Sequence, residues 1–263
     1  MFNHDVALTK RHMVFVIDPI TVDLASLPAV ALGLKSFDRA LRYRAQRGST
    51  VVLVPRDGSK PRVLQTEALM HFHVNNAYED GSDTVVDIVR WEQDWDEINP
   101  GLREFGTTDG LYLGGKLTRL RITPNGRVLR EQLSDALGEF PQFDSRRSCR
   151  AHRYSYLAAR ASDNVAHNMI VKTDHRTSAE HEHVLPPGHV VSEPIFVPRR
   201  PDSGEDDGWL LAVAYDSLEH RSRLIVLDAQ DPERDPLYVG HLRHHLPQSF
   251  HGTFTSRLAQ PPL

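Results

Sequence analysis

Three of the fifteen histidines stand in distinctive local sequences, each at the edge of a strand-like run. They are His4 in HDVALT, His73 in FHVNNAYEDG and His251 in SFHGTF. Histidine is the commonest metal ligand in proteins. Imidazoles that converge from distant positions make a rigid metal site when a sheet fixes each ring. The three histidines are therefore candidates for one metal centre, whereas most of the others are expected to be ordinary surface or turn residues.

Composition and charge place the chain among ordinary globular proteins. Its 263 residues carry a net charge of −4 with both signs interspersed, which argues against a nucleic-acid partner. The sequence has no run of about 18 apolar residues and no secretory signal pattern at its N-terminus. The single cysteine, Cys149, cannot form a disulfide within the chain, and this favours a reducing compartment. These features predict a cytoplasmic protein with one domain over residues 1–263.

Short β-rich runs separated by turn residues dominate the sequence and predict an all-β fold. The predicted strands cover residues 13–17, 51–54, 84–91, 111–122, 127–133, 209–215, 223–227 and 237–242. Asn125-Gly126 is a strong hairpin signal between two of them. Many short strands with regular turn signals are typical of a sandwich, a barrel or a propeller. No strict repeat is visible, so periodicity alone leaves these three open.

Three stretches depart from the strand pattern. Residues 24–46 are rich in Ala and Leu at loosely helical spacing and are interrupted by Pro28. They are expected to form a short helix or an irregular loop, either as a cap on the core or as an apolar lip at a substrate entrance. Residues 199–208 are polar throughout, and residues 174–188 contain clustered histidines. Both of these stretches are predicted to be exposed loops.

Six segments occur in an order that resembles the carotenoid oxygenase family. They are HDVALT, FHVNNAYEDG, GEFPQFD, SEPIFVPR, EDDGWLL and SFHGTF, and they extend across nearly the whole chain. The resemblance implies a seven-bladed β-propeller with Fe(II) on its axis, held by four histidines. The chain corresponds to about half of that fold, as a single propeller portion in which the N-terminal half is absent.

The resemblance also assigns the candidate site residues. His4, His73 and His251 match three of the four iron ligands, and the fourth would lie in the preceding half. Glu139 and Glu193 match two glutamates that accept hydrogen bonds from ligand imidazoles. Such a carboxylate fixes the tautomer of the ring and makes it a more basic ligand, whereas burying it without a partner would be costly. No catalytic residue is implied beyond this metal site.

The function implied by the resemblance is oxidative cleavage. A non-haem Fe(2+) dioxygenase of this kind would split a C=C double bond of a carotenoid or apocarotenoid with O2, giving two carbonyl products. Its substrate is an apolar polyene that resides in membranes, so residues 24–37 are a candidate for peripheral membrane contact. The alternatives are a stilbene-cleaving dioxygenase, a truncated and inactive remnant, and a propeller that serves only as a binding module.

Departures from the family pattern limit the expected activity of this chain by itself. With about half of the blades missing, unclosed sheets would expose strand edges. Three histidines can still hold a metal, but the isolated chain is expected to bind iron weakly and to be inactive. Asn75, Asn76 and Gln142 stand where the family pattern varies, and none is expected to touch the ligands. His71, two residues before His73, is a weaker candidate for the missing ligand.

Overall fold

The computed structural model describes residues 3–103, 114–161, 166–247 and 250–257, and β-strands dominate it. The first six strands are β1 (Ala7–Leu8), β2 (His12–Ile17), β3 (Ile20–Val22), β4 (Leu41–Tyr43), β5 (Ser49–Pro55) and β6 (Arg62–Thr66). Strands β1, β2, β5 and β6 pair in that order as the first antiparallel sheet. Strands β3 and β4 form a separate two-stranded ribbon inserted between β2 and β5.

Three more antiparallel sheets follow along the chain. The second contains β7 (His71–Asp80), β8 (Asp83–Arg90), β9 (Lys116–Ile122) and β10 (Val128–Gln132). The third contains β11 (Gly138–Gln142), β12 (Tyr154–Ala159), β13 (Met169–Asp174) and β14 (Ala179–Val184). The fourth contains β15 (His189–Val191), β16 (Ile195–Pro198), β17 (Gly208–Asp216), β18 (Arg221–Asp228) and β19 (Tyr238–His241). Each sheet pairs in sequence order, except that β15 and β16 both pair with β17.

Helices are short in the described part of the chain. They are α1 (Leu27–Ala31) and α2 (Trp95–Arg103), with 3₁₀ turns at Leu24–Ser26, Phe37–Ala40, Ala45–Arg47 and Ser145–Arg147. Pro28 occupies the first turn of α1, where its missing N–H costs nothing. Among the residues described, no helix has the length and apolar character needed to span a bilayer.

Successive sheets pack face to face through apolar cores. One core joins the first two sheets, with Val14 and Leu53 facing Val86 and Ile88. Another joins the last two sheets and contains Tyr156, Ala158, Ile170, Leu210, Ala212 and Leu227. A third core contains β8, β9 and helix α2 residues, among them Trp95. Antiparallel sheets of about four strands stacked in this way are the blades of a propeller. The all-β fold and the partial propeller expected from the sequence are therefore confirmed.

The first strands of the first three sheets lie next to one another. Strand β7 contacts both β1 and β11. Two acidic residues of the family-like motifs fasten β1 to β7. Asp5 accepts a hydrogen bond from the backbone N–H of Val74 at 2.9 Å. Glu79 accepts bonds from the Thr9 hydroxyl and from the backbone N–H groups of Lys10 and Arg11. These contacts bring residues about 70 positions apart to the inner edge of the fold.

The predicted strands agree with the observed ones, apart from the residues 111–113, which lie outside the described part. Residues 24–46 contain α1, β4 and the 3₁₀ turns at Leu24–Ser26 and Phe37–Ala40, so they are a mixed segment. Residues 174–188, predicted to be an exposed loop, include β14, which is the last strand of the third sheet. Its alternating His and Glu side chains are half-buried or exposed, because this edge of the sheet is not covered on both faces.

The two terminal sheets each present an apolar face to solvent. On β17, buried residues alternate with the partly exposed Trp209, Leu211, Val213 and Tyr215. On β2, Met13 is 38% exposed while Val14 beside it is buried. Strands in the middle of the stack have both faces covered, and β8 is buried along nearly its whole length. The first and last sheets therefore have the side-chain pattern of blades with a neighbour on each side.

Candidate metal centre

His73 is the most deeply placed of the three candidate ligands. It lies on β7, and its Nδ1 is 2.6 Å from Oε2 of Glu139 on β11. An ionised carboxylate only accepts hydrogen bonds, so Nδ1 of the neutral ring carries the proton and Nε2 carries the lone pair. That Nε2 atom is buried and has no hydrogen-bond partner. A buried imidazole nitrogen with a lone pair and no partner is suited to a metal ion.

His251 is paired with the second candidate carboxylate. Its Nδ1 is 3.2 Å from Oε1 of Glu193, and the backbone N–H of Gly252 donates to Oε2 at 2.8 Å. Glu193 is 5% exposed, whereas the His251 side chain is 54% exposed. The carboxylate therefore lies beneath the ring and the ring points towards the surface. This repeats the arrangement at His73 in a more open setting.

His4 completes the group from the segment before β1. Its ring centroid lies 5.2 Å from that of His73, and the two rings are nearly perpendicular. The centroids of His73 and His251 are 4.9 Å apart, again nearly perpendicular. The neighbouring Asp5 holds the His4 segment against β7 through Val74. The structure thus brings together three imidazoles that are separated by 69 and 178 residues in the sequence.

The charges around the rings influence their protonation in opposite directions. Burial acts to lower the pKa of His73, but the hydrogen bond and negative charge of Glu139 outweigh it, so its pKa is raised. Burial, followed by repulsion from His73, lowers the pKa of His4. Glu139 thus lies on the Nδ1 side of the His73 ring, where it makes this candidate ligand more basic.

Glu139 is held on both sides. Besides His73, it accepts a hydrogen bond at Oε1 from the indole Nε1 of Trp91, at 2.6 Å. It also accepts one at Oε2 from the backbone N–H of Phe140, at 2.9 Å. Phe140 has a φ of 55°, which is unusual for a residue other than glycine. Its ring lies 5.3 Å from His73 and 5.8 Å from His251 between centroids, so a strained backbone position coincides with the candidate site.

His71 points to a different partner. Its Nδ1 lies 3.0 Å from Asp18, and its backbone N–H donates to the same carboxylate at 2.9 Å. The pairing of β7 with β8 is irregular between His71 and Val74, so the alternation expected of a regular strand does not hold there. His71 therefore belongs to a buried hydrogen-bonded pair with Asp18.

A second histidine cluster lies elsewhere between the second and third sheets. Among the described residues, Asp87, His152 and His175 are the one group whose donor atoms all lie within 4.8 Å of one another. The donor atoms of His4, His73 and His251 do not all lie within that distance. Arg119 donates to both oxygens of Asp87 at 2.8 Å and contacts His175 Nδ1 at 3.2 Å. A guanidinium cation thus already occupies this cluster, which we interpret as a structural network.

Comparison with known proteins establishes the family. The family model described as retinal pigment epithelial membrane protein matches residues 1–256. The chain belongs to this carotenoid oxygenase family. A similar relative is the apocarotenoid-15,15'-oxygenase of Synechocystis, with 31% identity over 96% of this chain and 51% of the relative. Another is the isoeugenol monooxygenase of Pseudomonas putida, with 29% identity over 97% of this chain and 55% of the relative.

A solved structure of the carotenoid oxygenase family agrees with the fold. The cobalt-substituted apocarotenoid oxygenase of Synechocystis superposes with a TM-score of 0.86 at 30% identity, covering 97% of this chain and 53% of that one. Cobalt substitution indicates a metal site in that relative. The present chain spans about half the length of the relatives it matches.

Sequence reasoning named the three candidate ligands and the two glutamates beside them. It missed the contacts that hold these residues in place, which involve Asp5, Trp91 and Gln142. Asn75 and Asn76 contact His152, away from the candidate ligands. Gln142 touches none of the three imidazoles, as expected, yet its amide contacts Glu193. The Asp5 contact and the Trp91 hydrogen bond also span large separations in sequence. The aspartate beside His4 was the one available signal, since it directly follows a candidate ligand.

Proposed function

We propose that this chain supplies most of the metal centre of a non-haem Fe(II) dioxygenase that cleaves a C=C bond of a carotenoid or apocarotenoid. The observation that carries the proposal is the pairing of His73 with the buried Glu139. It leaves a buried Nε2 lone pair without a partner on a ring whose centroid lies 5.2 Å from that of His4 and 4.9 Å from that of His251. Neutral imidazoles suit iron, and an all-histidine set leaves the charge of the ion uncompensated by its direct ligands.

The residues of this chain hold and orient the ion. His4, His73 and His251 would be its ligands, while Glu139 and Glu193 keep the Nδ1 protons of two rings in place. Bound Fe(II) supplies the electronic activation of dioxygen. The protein supplies the ligand geometry, and the rings of Phe140 and Phe72 lie beside the imidazoles as an apolar border. Such a border suits an apolar substrate, because it excludes water from the reacting double bond.

The names of the relatives support this substrate class and one alternative. The Synechocystis relative is an apocarotenoid oxygenase, and the Pseudomonas relative acts on isoeugenol at nearly the same level of identity. A phenolic phenylpropene or stilbene is therefore the second candidate substrate. Assays of an apocarotenal and of isoeugenol with the chain joined to an upstream half separate the two, because the preferred class is turned over faster.

A metal titration tests the proposal directly. We expect the purified chain to bind Fe(II) or Co(II) at one site per chain under anaerobic conditions, more weakly than when it is joined to an upstream half, because only three of the ligands are present. Isothermal titration calorimetry and the visible spectrum of bound Co(II) measure affinity and geometry. Absence of a one-to-one site in both forms would contradict the proposal. Dioxygenase turnover by the isolated chain would contradict the expected need for the other half.

We also propose that residues 24–37 make peripheral contact with a lipid surface that contains the substrate. Leu24, Leu32, Leu34 and Phe37 are 73%, 73%, 78% and 54% exposed. Exposed apolar side chains clustered on one segment are typical of an interaction surface. Residues 24–47 also contain five basic side chains and one acidic side chain, which favours a surface of anionic lipids.

A vesicle assay tests the lipid contact. We expect the double variant Leu32→Asp/Leu34→Asp to co-sediment with anionic phospholipid vesicles about tenfold less than the unaltered chain, because both apolar side chains leave the interface. The matched control is Leu218→Asp, at a leucine that is 82% exposed in the turn between β17 and β18. Equal sedimentation of the double variant and the control would reject the contact.

A further inference from the structure

Strand β11 contributes to both glutamate–histidine pairs of the candidate metal centre. Glu139, near its start, holds His73, and Gln142, at its end, reaches Glu193. The pairing of β11 with β12 is irregular between these two residues, and the left-handed Phe140 lies within the irregular stretch. A regular strand would place residues three positions apart on opposite faces. The irregularity therefore allows one strand to serve both carboxylates.

The Gln142 contact is specific in its chemistry. Its Nε2 donates to Oε1 of Glu193 at 2.7 Å, the same oxygen that faces Nδ1 of His251 at 3.2 Å. A carboxylate accepts and does not donate, so the amide nitrogen of Gln142 must be the atom that faces it. The backbone N–H of Gly252 occupies Oε2. Glu193 is 5% exposed, and a buried carboxylate needs such partners.

The two halves of the centre differ in how they are supported. His73 and Glu139 both lie on strands, which fix their side chains. Glu193 lies in the short connection between β15 and β16, and His251 lies in a segment without regular secondary structure. Gln142 is the side chain that ties this second pair to a strand. The hydrogen bond from Gln142, at 2.7 Å, is also the shorter of the two that Oε1 of Glu193 receives.

We infer that Gln142 is a positioning residue that fixes the Glu193 carboxylate and, through it, the tautomer and orientation of the His251 imidazole. The consequence for metal binding rests on the proposed function. The consequence for the ring itself does not, because Nδ1 of His251 faces Glu193 irrespective of any metal. Groups that orient metal ligands from outside typically change metal affinity by about 10- to 100-fold. Gln142 acts through one further residue, so about tenfold is expected for its loss.

Gln142→Leu tests the inference, since it keeps the approximate size of the side chain and removes the donor. Gln132→Leu is the matched control. Gln132 lies at the end of strand β10, and its amide donates to the exposed Asp135 at 2.6 Å. The first measurement is the ¹⁵N spectrum of the His251 ring in the metal-free chain, assigned with His251→Gln. The second is Co(II) affinity and the visible spectrum of the Co(II) form. Circular dichroism reports whether each variant folds.

The inference predicts that Gln142→Leu converts the Nδ1-protonated His251 ring into a mixture of tautomers and weakens Co(II) binding about tenfold, while Gln132→Leu changes neither. Should Gln142→Leu not fold, Gln142→Glu replaces the donor by an acceptor at the same length and is expected to act in the same direction. An unchanged His251 tautomer would overturn the inference. If the unaltered chain binds no Co(II), the proposed function fails, and the ¹⁵N measurement alone still decides the role of Gln142.

Discussion

Replacing His73 with alanine is expected to abolish the one-to-one metal site. His73 lies between the other two rings, at centroid distances of 5.2 and 4.9 Å. Its buried Nε2 is the ligand atom that no other described group engages. Without His73, only His4 and His251 remain as candidate ligands, and both are exposed to solvent. We expect Co(II) affinity to fall by more than about 100-fold, beyond the range seen for groups that only orient a ligand.

Two further variants test whether the effect of His73→Ala is specific. His220→Ala removes an exposed histidine that bonds to Tyr215 at 2.7 Å, and it should leave Co(II) binding unchanged. Glu139→Gln keeps the size of the side chain but removes its charge, so we expect a smaller loss of about 10- to 100-fold. Retention of a tight site in His73→Ala would mean that the ion binds elsewhere, with the Asp87 cluster as the next place to search.

Acidification is expected to destabilise the chain between about pH 6.5 and pH 3. Burial, and then repulsion from Arg119, lowers the pKa of His152 to about 3. Burial, and then the neighbouring His152, lowers the pKa of His175 to about 3. Below pH 6.5 these two histidines bind protons in the unfolded chain, whereas in the folded chain their buried rings stay neutral. The free energy of unfolding therefore decreases as the pH falls. For two such groups the slope is roughly 2 to 3 kcal/mol per pH unit.

Urea unfolding at pH 7, 6, 5 and 4 measures this slope. The double variant His152→Gln/His175→Gln removes both rings and should show a shallower dependence on pH, whatever its stability at pH 7. His241→Gln alters an exposed histidine at the end of β19 and should retain the slope of the unaltered chain. A double variant with an unaltered slope would place the acid sensitivity in other groups, such as the carboxylate of Asp174, whose hydrogen bond with Arg153 lowers its pKa.

Strand positions were predictable where apolar residues alternate over several positions. The run 209–215 corresponds to β17 (Gly208–Asp216), and Asn125-Gly126 does join β9 to β10. Helix α2 was not predicted, because Asn99-Pro100-Gly101 has the composition of a turn. Burial of Trp95 and Ile98 in the third core stabilises the helix there, and this tertiary contact overrides the local preference.

The candidate site was predictable as a set of residues but not as a set of contacts. Short motifs identify His4, Glu139 and Glu193 by their neighbours in sequence. Which atoms meet depends on the stacking of four sheets, which brings together residues far apart in the chain. The bond from Gln142 to Glu193 additionally requires an irregularity in β11, and no local pattern in the sequence specifies such an irregularity. The same reasoning explains why the role of Trp91 was missed.

Each of the three candidate ligands comes from a different hydrogen-bonded unit: the lead-in to the first sheet, the second sheet, and the segment after the fourth. Glu139 adds the third sheet through its bond to His73. An ion held by this set would act as a further cross-link between units that already adhere through apolar cores and through hydrogen bonds such as that from Val74 to Asp5. Metal occupancy and the adhesion of the sheets are then thermodynamically linked. Separation of neighbouring sheets would release the ion, and bound metal would make that separation less favourable.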